Sequence, residues 1–79
     1  MFNGRTILIT GAASGLGRAW AEGFSADGAT VVAADIDGEG LKKVPARFHL
    51  TVDVSDSNQV EQMILDSIEQ TGRIDVLCN

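Results

Sequence analysis

Three glycines at 11, 15 and 17, in the run Thr10-Gly11-Ala12-Ala13-Ser14-Gly15-Leu16-Gly17, stand where an apolar stretch gives way to a helical pattern. Glycines at such a handover do distinct things: one permits a tight turn, one lets the backbone come close to a pyrophosphate, and one lets helix and strand pack closely. A helix opening behind them offers free N–H groups and the positive end of its dipole, which together hold phosphate. The spacing is Gly-x-x-x-Gly-x-Gly rather than Gly-x-Gly-x-x-Gly, so the general dinucleotide fingerprint is not met. Taken alone, the same glycines would also serve a sharp connection with no ligand.

Asp35 adds a second piece of chemistry. It lies 18 residues beyond Gly17, at the end of the next apolar run, close to the offset of about 20 residues at which an acid accepts a hydrogen bond from an adenosine ribose. A carboxylate there suits the 2′-hydroxyl of NAD and sets like charge against the 2′-phosphate of NADP. No lysine or arginine adjoins Asp35 or immediately precedes Gly15 to reverse that preference, so NAD is expected over NADP. The competing role for Asp35 is a solvated acid that opens the next helix.

Other chemistries are excluded or disfavoured. The glycine run lacks the Gly-Lys-Ser/Thr ending of a Walker loop. One histidine and one cysteine cannot give a His/Cys cluster with metal-ligand spacing. His49, beside Phe48, and Cys78 fall in strand patterns and are expected to be structural, Cys78 as a buried strand residue. A net charge of −5, with no basic cluster beyond Lys42-Lys43, argues against nucleic acid as a partner.

The elements that must position these residues alternate. Thr6 to Thr10, "TILIT", is a continuous β-branched and apolar run, as in a strand buried on both faces of a parallel sheet. From Gly15 to Asp27, Leu16, Trp20 and Phe24 fall four apart with Ala19 and Gly23 on the same stripe, so a helix buried along that stripe is expected, with Gly28 as its left-handed stop. "TVVAAD" returns to strand, and "GEGLKKV" is at best a short helix ended by Pro45. "RFHLTV" gives a third strand. A helix follows through "SDSNQVEQMILDSIEQTG", with Ser55 or Asp56 as its N-cap and Val60, Met63, Ile64, Ser67 and Ile68 along one face. "IDVLC" is a fourth strand. The order βαβαβαβ implies an α/β fold with a doubly wound parallel sheet, strand order 3-2-1-4, in which the first two helices cover one face and the third the other. The fourth strand then presents an unpaired edge.

Thr10-Gly11-x-x-x-Gly15-x-Gly17, the acid Asp35, the pair Asp53-Val54 after the third strand and the closing "GRIDVLCN" together resemble the start of a short-chain dehydrogenase/reductase, along the whole chain and in the right order. The resemblance implies a Rossmann-type domain. It implies that Gly11, Ser14, Gly15, Leu16 and Gly17 form the pyrophosphate turn, and that Asp35 and Ile36 hold the ribose and flank the adenine. Asp53 would accept from the adenine amino group, with Val54 beside the ring. Asn79 would match the first residue of an Asn-Asn-Ala-Gly segment beneath the cofactor. Standing alone, Asp53-Val54-Ser55-Asp56 is also a plain strand exit and helix cap.

The resemblance further implies a larger protein. In the family a catalytic Ser, a Tyr-x-x-x-Lys pair and a supporting Asn follow later in the chain, and this sequence contains no tyrosine. Residues 1–79 are therefore expected to be the NAD-binding part of an incomplete domain. The complete protein would be a homo-oligomeric oxidoreductase that moves a hydride between nicotinamide and an alcohol or carbonyl. The alternatives are a short non-enzymatic nucleotide-binding or partner-completed protein, and a truncated product without function. Seventy-nine residues bury only a small, marginal core; no second cysteine for a disulfide, and an opening apolar run too short for a signal core or a membrane span, point to a cytoplasmic protein.

Overall fold

The computed structural model describes residues 2–79. Its elements run β1 (Thr6–Thr10), α1 (Gly15–Ala26), β2 (Thr30–Asp35), α2 (Gly38–Leu41), β3 (Phe48–Thr51), α3 (Ser57–Thr71) and β4 (Val76–Cys78). The four strands form one parallel sheet in the order β3-β2-β1-β4, the doubly wound order expected from the sequence. In register, Thr10 lies beside Ala34 and Asp35 beside Thr51. The C-terminal ends of the strands therefore finish level, and the turns leaving them share one edge of the sheet.

The two faces are built by the alternation of each strand. Ile7, Ile9, Val31 and Ala33 point to one side, where Ala21 of α1 and Leu41 of α2 close over them. Leu8, Val32 and Ala34 point to the other and meet Met63 of α3, with Val60 and Ile64 at its margin. Every residue of β1 is buried. Burying Ile7, Leu8 and Ile9 completely contributes about 1.5–3 kcal/mol for each side chain.

Two helix details differ from the sequence-based expectation. The stripe through Leu16, Ala19, Trp20 and Gly23 is not the buried one: Leu16 is 63% exposed, Ala19 and Gly23 are exposed, and Gly17 and Ala21 face the sheet. The small residues face inward because α1 approaches the turn above β1 too closely for a larger side chain, which pushes the bulky apolar set to the flank. There Trp20 and Phe24 pack at the edge of the core, and the Phe24 ring meets Phe2 edge to face at 5.0 Å. On α3, Ile68 is likewise 43% exposed while Ser67 is buried, its hydroxyl donating to the Met63 carbonyl at 2.7 Å.

Asp56 is the N-cap of α3, its carboxylate accepting from the N–H groups of Asn58 and Gln59. Of the two candidates, Asp56 therefore caps the helix and Ser55 does not. Gly28 follows α1 with φ +87°, as its expected role as a stop requires.

At the opposite end of the sheet Asp75 ties β4 to β1. Its Oδ2 accepts from the Thr6 N–H at 2.7 Å and from Arg73 Nε at 2.9 Å, and Arg5 lies 3.7 Å from Oδ1.

Candidate functional site

The turn between β1 and α1 is held by glycine at its corner. Gly11 has φ +64° and Gly15 φ +45°, a region that costs little only without a Cβ. A Cβ placed on either would find no atom within 4 Å, so the space above the turn is open to a ligand. Gly17 faces the other way. A Cβ there would collide with the Gly11 carbonyl oxygen, so the first turn of α1 rests directly on the backbone of the corner. Two of the three glycines thus shape the corner, and the third permits the close contact behind it.

The start of α1 is open to an acceptor. Helical geometry leaves the N–H groups of a first turn without intrahelical partners, and the Ser14 side chain makes no capping hydrogen bond. The other two helix starts are closed, α2 by Asp37 and α3 by Asp56. Leu16 stands over this end of the helix, largely in solvent.

Asp35 is joined to the same turn. Its Oδ2 accepts from the Ala13 N–H at 3.0 Å and its Oδ1 from the Asp37 N–H at 2.9 Å, so the carboxylate is fixed from both sides. Each oxygen keeps a second lone pair for an incoming hydroxyl. The backbone continues the link: Ala12 N–H donates to the Ala34 carbonyl and Val52 N–H to the Asp35 carbonyl, both at 3.0 Å.

Between these turns lies a cleft of about 240 Å³ lined by Gly11, Asp35, Ile36, Val52, Asp53 and Val54. Ile36 and Val54 are 66% and 56% exposed, two apolar side chains in solvent at the lip of a cleft with acids at its base. Asp53 has its Oδ1 taken by Ser55, at 2.6 Å from the hydroxyl and 3.0 Å from the N–H. The Ser55 hydroxyl first, and its N–H second, hold the Asp53 carboxyl below the ordinary carboxylate range, so it stays ionised at neutral pH.

Asn79 lies on the far side of the turn. Its Oδ1 accepts from the Thr10 hydroxyl at 2.8 Å, which anchors the residue after β4 to the end of β1. Sequence reasoning passed over Thr10 as a site residue. Its place at the end of a buried strand, directly before the first glycine, was the available signal. Gly11, Ser14, Gly15, Leu16, Gly17, Asp35, Ile36, Asp53, Val54 and Asn79 thus all fall at the C-terminal end of the sheet, on strand ends, the segments that follow them or the first turn of α1, while only some of them line the cleft.

His49 and Cys78 stay outside this arrangement. His49 Nε2 is 2.7 Å from the Val44 carbonyl. Cys78 is half-buried, not fully buried as expected, because β4 carries a strand on one side only, and burial pushes its thiol pKa upward. A raised thiol pKa makes a poor nucleophile.

Residues 5–79 match the family model described as short chain dehydrogenase. The chain belongs to this family. Along 99% of its length it is 44% identical to the meso-2,3-butanediol dehydrogenase of Serratia marcescens, of which the match covers 34%. Among solved structures, a 3-ketoacyl-(acyl-carrier-protein) reductase from Brucella melitensis complexed with NADH superposes with a TM-score of 0.92 at 30% identity, covering 98% of this chain and 34% of that one. A short chain dehydrogenase/reductase from Burkholderia phymatum in complex with NAD gives 0.91 at 33% identity, over 96% of this chain and 30% of that one. This short-chain dehydrogenase chain spans about a third of the length of these relatives.

The residues present fit a dinucleotide. The open turn, the uncapped helix start and the apolar lip around two acids supply, in one row, places for phosphates, ribose and a base. Among the described residues, no helix is long and apolar enough to cross a membrane, and no group of three metal-ligating side chains occurs.

Proposed function

We propose that this chain is the NAD-binding part of an oxidoreductase that transfers a hydride between nicotinamide and an alcohol or carbonyl substrate. The bound dinucleotide supplies the hydride chemistry, and the residues of this chain bind and orient it. Gly11, Ser14, Gly15, Leu16 and Gly17 cradle the pyrophosphate. Asp35 accepts from the adenosine ribose, Ile36 and Val54 flank the adenine, and Asp53 accepts from its amino group. Asn79, braced by Thr10, supports the cofactor from the other side of the turn.

The observation that carries this proposal is the two-sided fixing of Asp35, by Ala13 N–H at 3.0 Å and Asp37 N–H at 2.9 Å. It sets one carboxylate beside the glycine corner and at the cleft. A ribose with free hydroxyls suits that carboxylate, and a 2′-phosphate brings like charge against it. NAD is accordingly the proposed cofactor, in preference to NADP.

Residues 1–79 form the first part of one Rossmann domain in this proposal. The catalytic part follows in a longer, homo-oligomeric polypeptide, and the lone free cysteine is consistent with a cytoplasmic location. The test is the intact mass of the native protein that contains Thr10 to Gly17, followed by an assay of NAD-dependent alcohol oxidation. A mass several times the 8.3 kDa of this chain, with activity, is expected. A native mass equal to that of this chain would overturn the proposal.

A further inference from the structure

We infer that Ser55 is a positioning residue that lets the site tell an adenine base from a base with a 6-oxo group. The inference rests on the proposed placement of the base in the cleft beside Asp53 and goes beyond it by assigning the selectivity to a residue outside that cleft.

Asp53 is held at three points. Its N–H donates to Gln59 Oε1 at 2.9 Å, and its carbonyl accepts from the Asp56 N–H at 3.0 Å. Its Oδ1 takes both the hydroxyl and the N–H of Ser55. Gln59 is itself anchored, its Nε2 donating to Asp56 Oδ2 at 3.3 Å. The cap of α3 therefore fixes the backbone of Asp53, and Ser55 alone fixes its side chain. With Oδ1 engaged twice, Oδ2 makes no hydrogen bond among the described residues and is the acceptor left for the cleft that Asp53 lines.

An ionised carboxylate only accepts. The 6-amino group of adenine donates to it, whereas the 6-oxo group of hypoxanthine presents lone pairs against it. Discrimination between two such bases needs the acceptor held in one place, because a carboxylate free to turn away relieves the clash and loses the bond together. Ser55 supplies that restraint without touching the base.

The test uses AMP and IMP as probes, titrated calorimetrically into the intact protein and its Ser55→Ala, Ser55→Thr and Asp53→Ala variants. The native protein is expected to prefer AMP, and Ser55→Ala to cut that preference by about three- to tenfold, the loss expected for one hydrogen bond. Ser55→Thr, which keeps the hydroxyl, is expected to restore it. A role confined to loop stability would weaken both nucleotides equally and leave the ratio unchanged. If Asp53→Ala removes the preference and Ser55→Ala keeps it, the role of Ser55 is overturned while the base placement stands. If Asp53→Ala also leaves the ratio unchanged, the placement of the base fails, and the role of Ser55 with it.

Discussion

The carboxylate of Asp35 accepts a hydrogen bond from the Ala13 N–H at 3.0 Å, which joins the end of β2 to the middle of the glycine turn. Two features separated by 22 residues thereby become one rigid unit. A ligand that contacts both meets groups already set in place, which lowers the ordering cost of binding.

The contact behind Gly17 makes a sharp prediction. In Gly17→Ala the new methyl would collide with the Gly11 carbonyl oxygen, and the neighbour is backbone, which cannot swing aside. The helix must lift off the turn, at about 1–3 kcal/mol for such overpacking. Thermal unfolding should show a lowered midpoint, and NAD titration a weakened affinity. Gly23→Ala is the control on the same helix. Gly23 is exposed, with nothing near its Cβ position, so alanine there should stabilise by about 0.5–1 kcal/mol. Equal effects from the two substitutions would contradict the close approach at Gly17.

Most of the framework is legible in the amino-acid sequence, for physical reasons. Thr6 to Thr10 reads as a strand because every position is buried and every residue is β-branched or apolar, and Asp35 reads as an acid set beside the glycine turn because strand length fixes its distance from the glycines. The burial of α1 was less legible. Periodicity finds the largest apolar side chains, Leu16, Trp20 and Phe24, but the face that packs is chosen by how near the helix comes to the turn, and that contact needs Gly17 and Ala21. The Ser55 bond to Asp53 was hidden too, because a Ser-Asp pair before a helix presents two equally good caps and only the backbone path decides between them.

Asp56 caps α3, and removing it tests that role. Asp56→Ala should cost about 1 kcal/mol through loss of its bonds to the Asn58 and Gln59 N–H groups. Chemical denaturation gives the value as a shift in midpoint at constant slope. Because Asp56 also anchors Gln59, a weaker preference for AMP is expected alongside.

Stability should fall in acid through Asp75. Its carboxyl pKa is lowered from the ordinary 3.8, first by the hydrogen bond from Arg73 and then by the Thr6 N–H. A pKa lowered in the folded state gives stability that is fully present above the unfolded value and lost as pH falls through the folded one. Midpoints measured from pH 7 to pH 2 should therefore fall less steeply below about pH 4 in Asp75→Asn than in the native protein. Parallel curves would show that the clamp between β1 and β4 does not depend on the charge.

The most direct test of the central claim is calorimetric titration of NAD and NADP into the native protein and into Asp35→Ala. The native protein is expected to bind NAD more tightly than NADP. Loss of Asp35 should weaken NAD by roughly 1.5–3 kcal/mol, the worth of a hydrogen bond to a charged group, while NADP holds or gains as the like charge disappears. Equal loss for both cofactors, or a native preference for NADP, would contradict the assignment of Asp35 to the ribose.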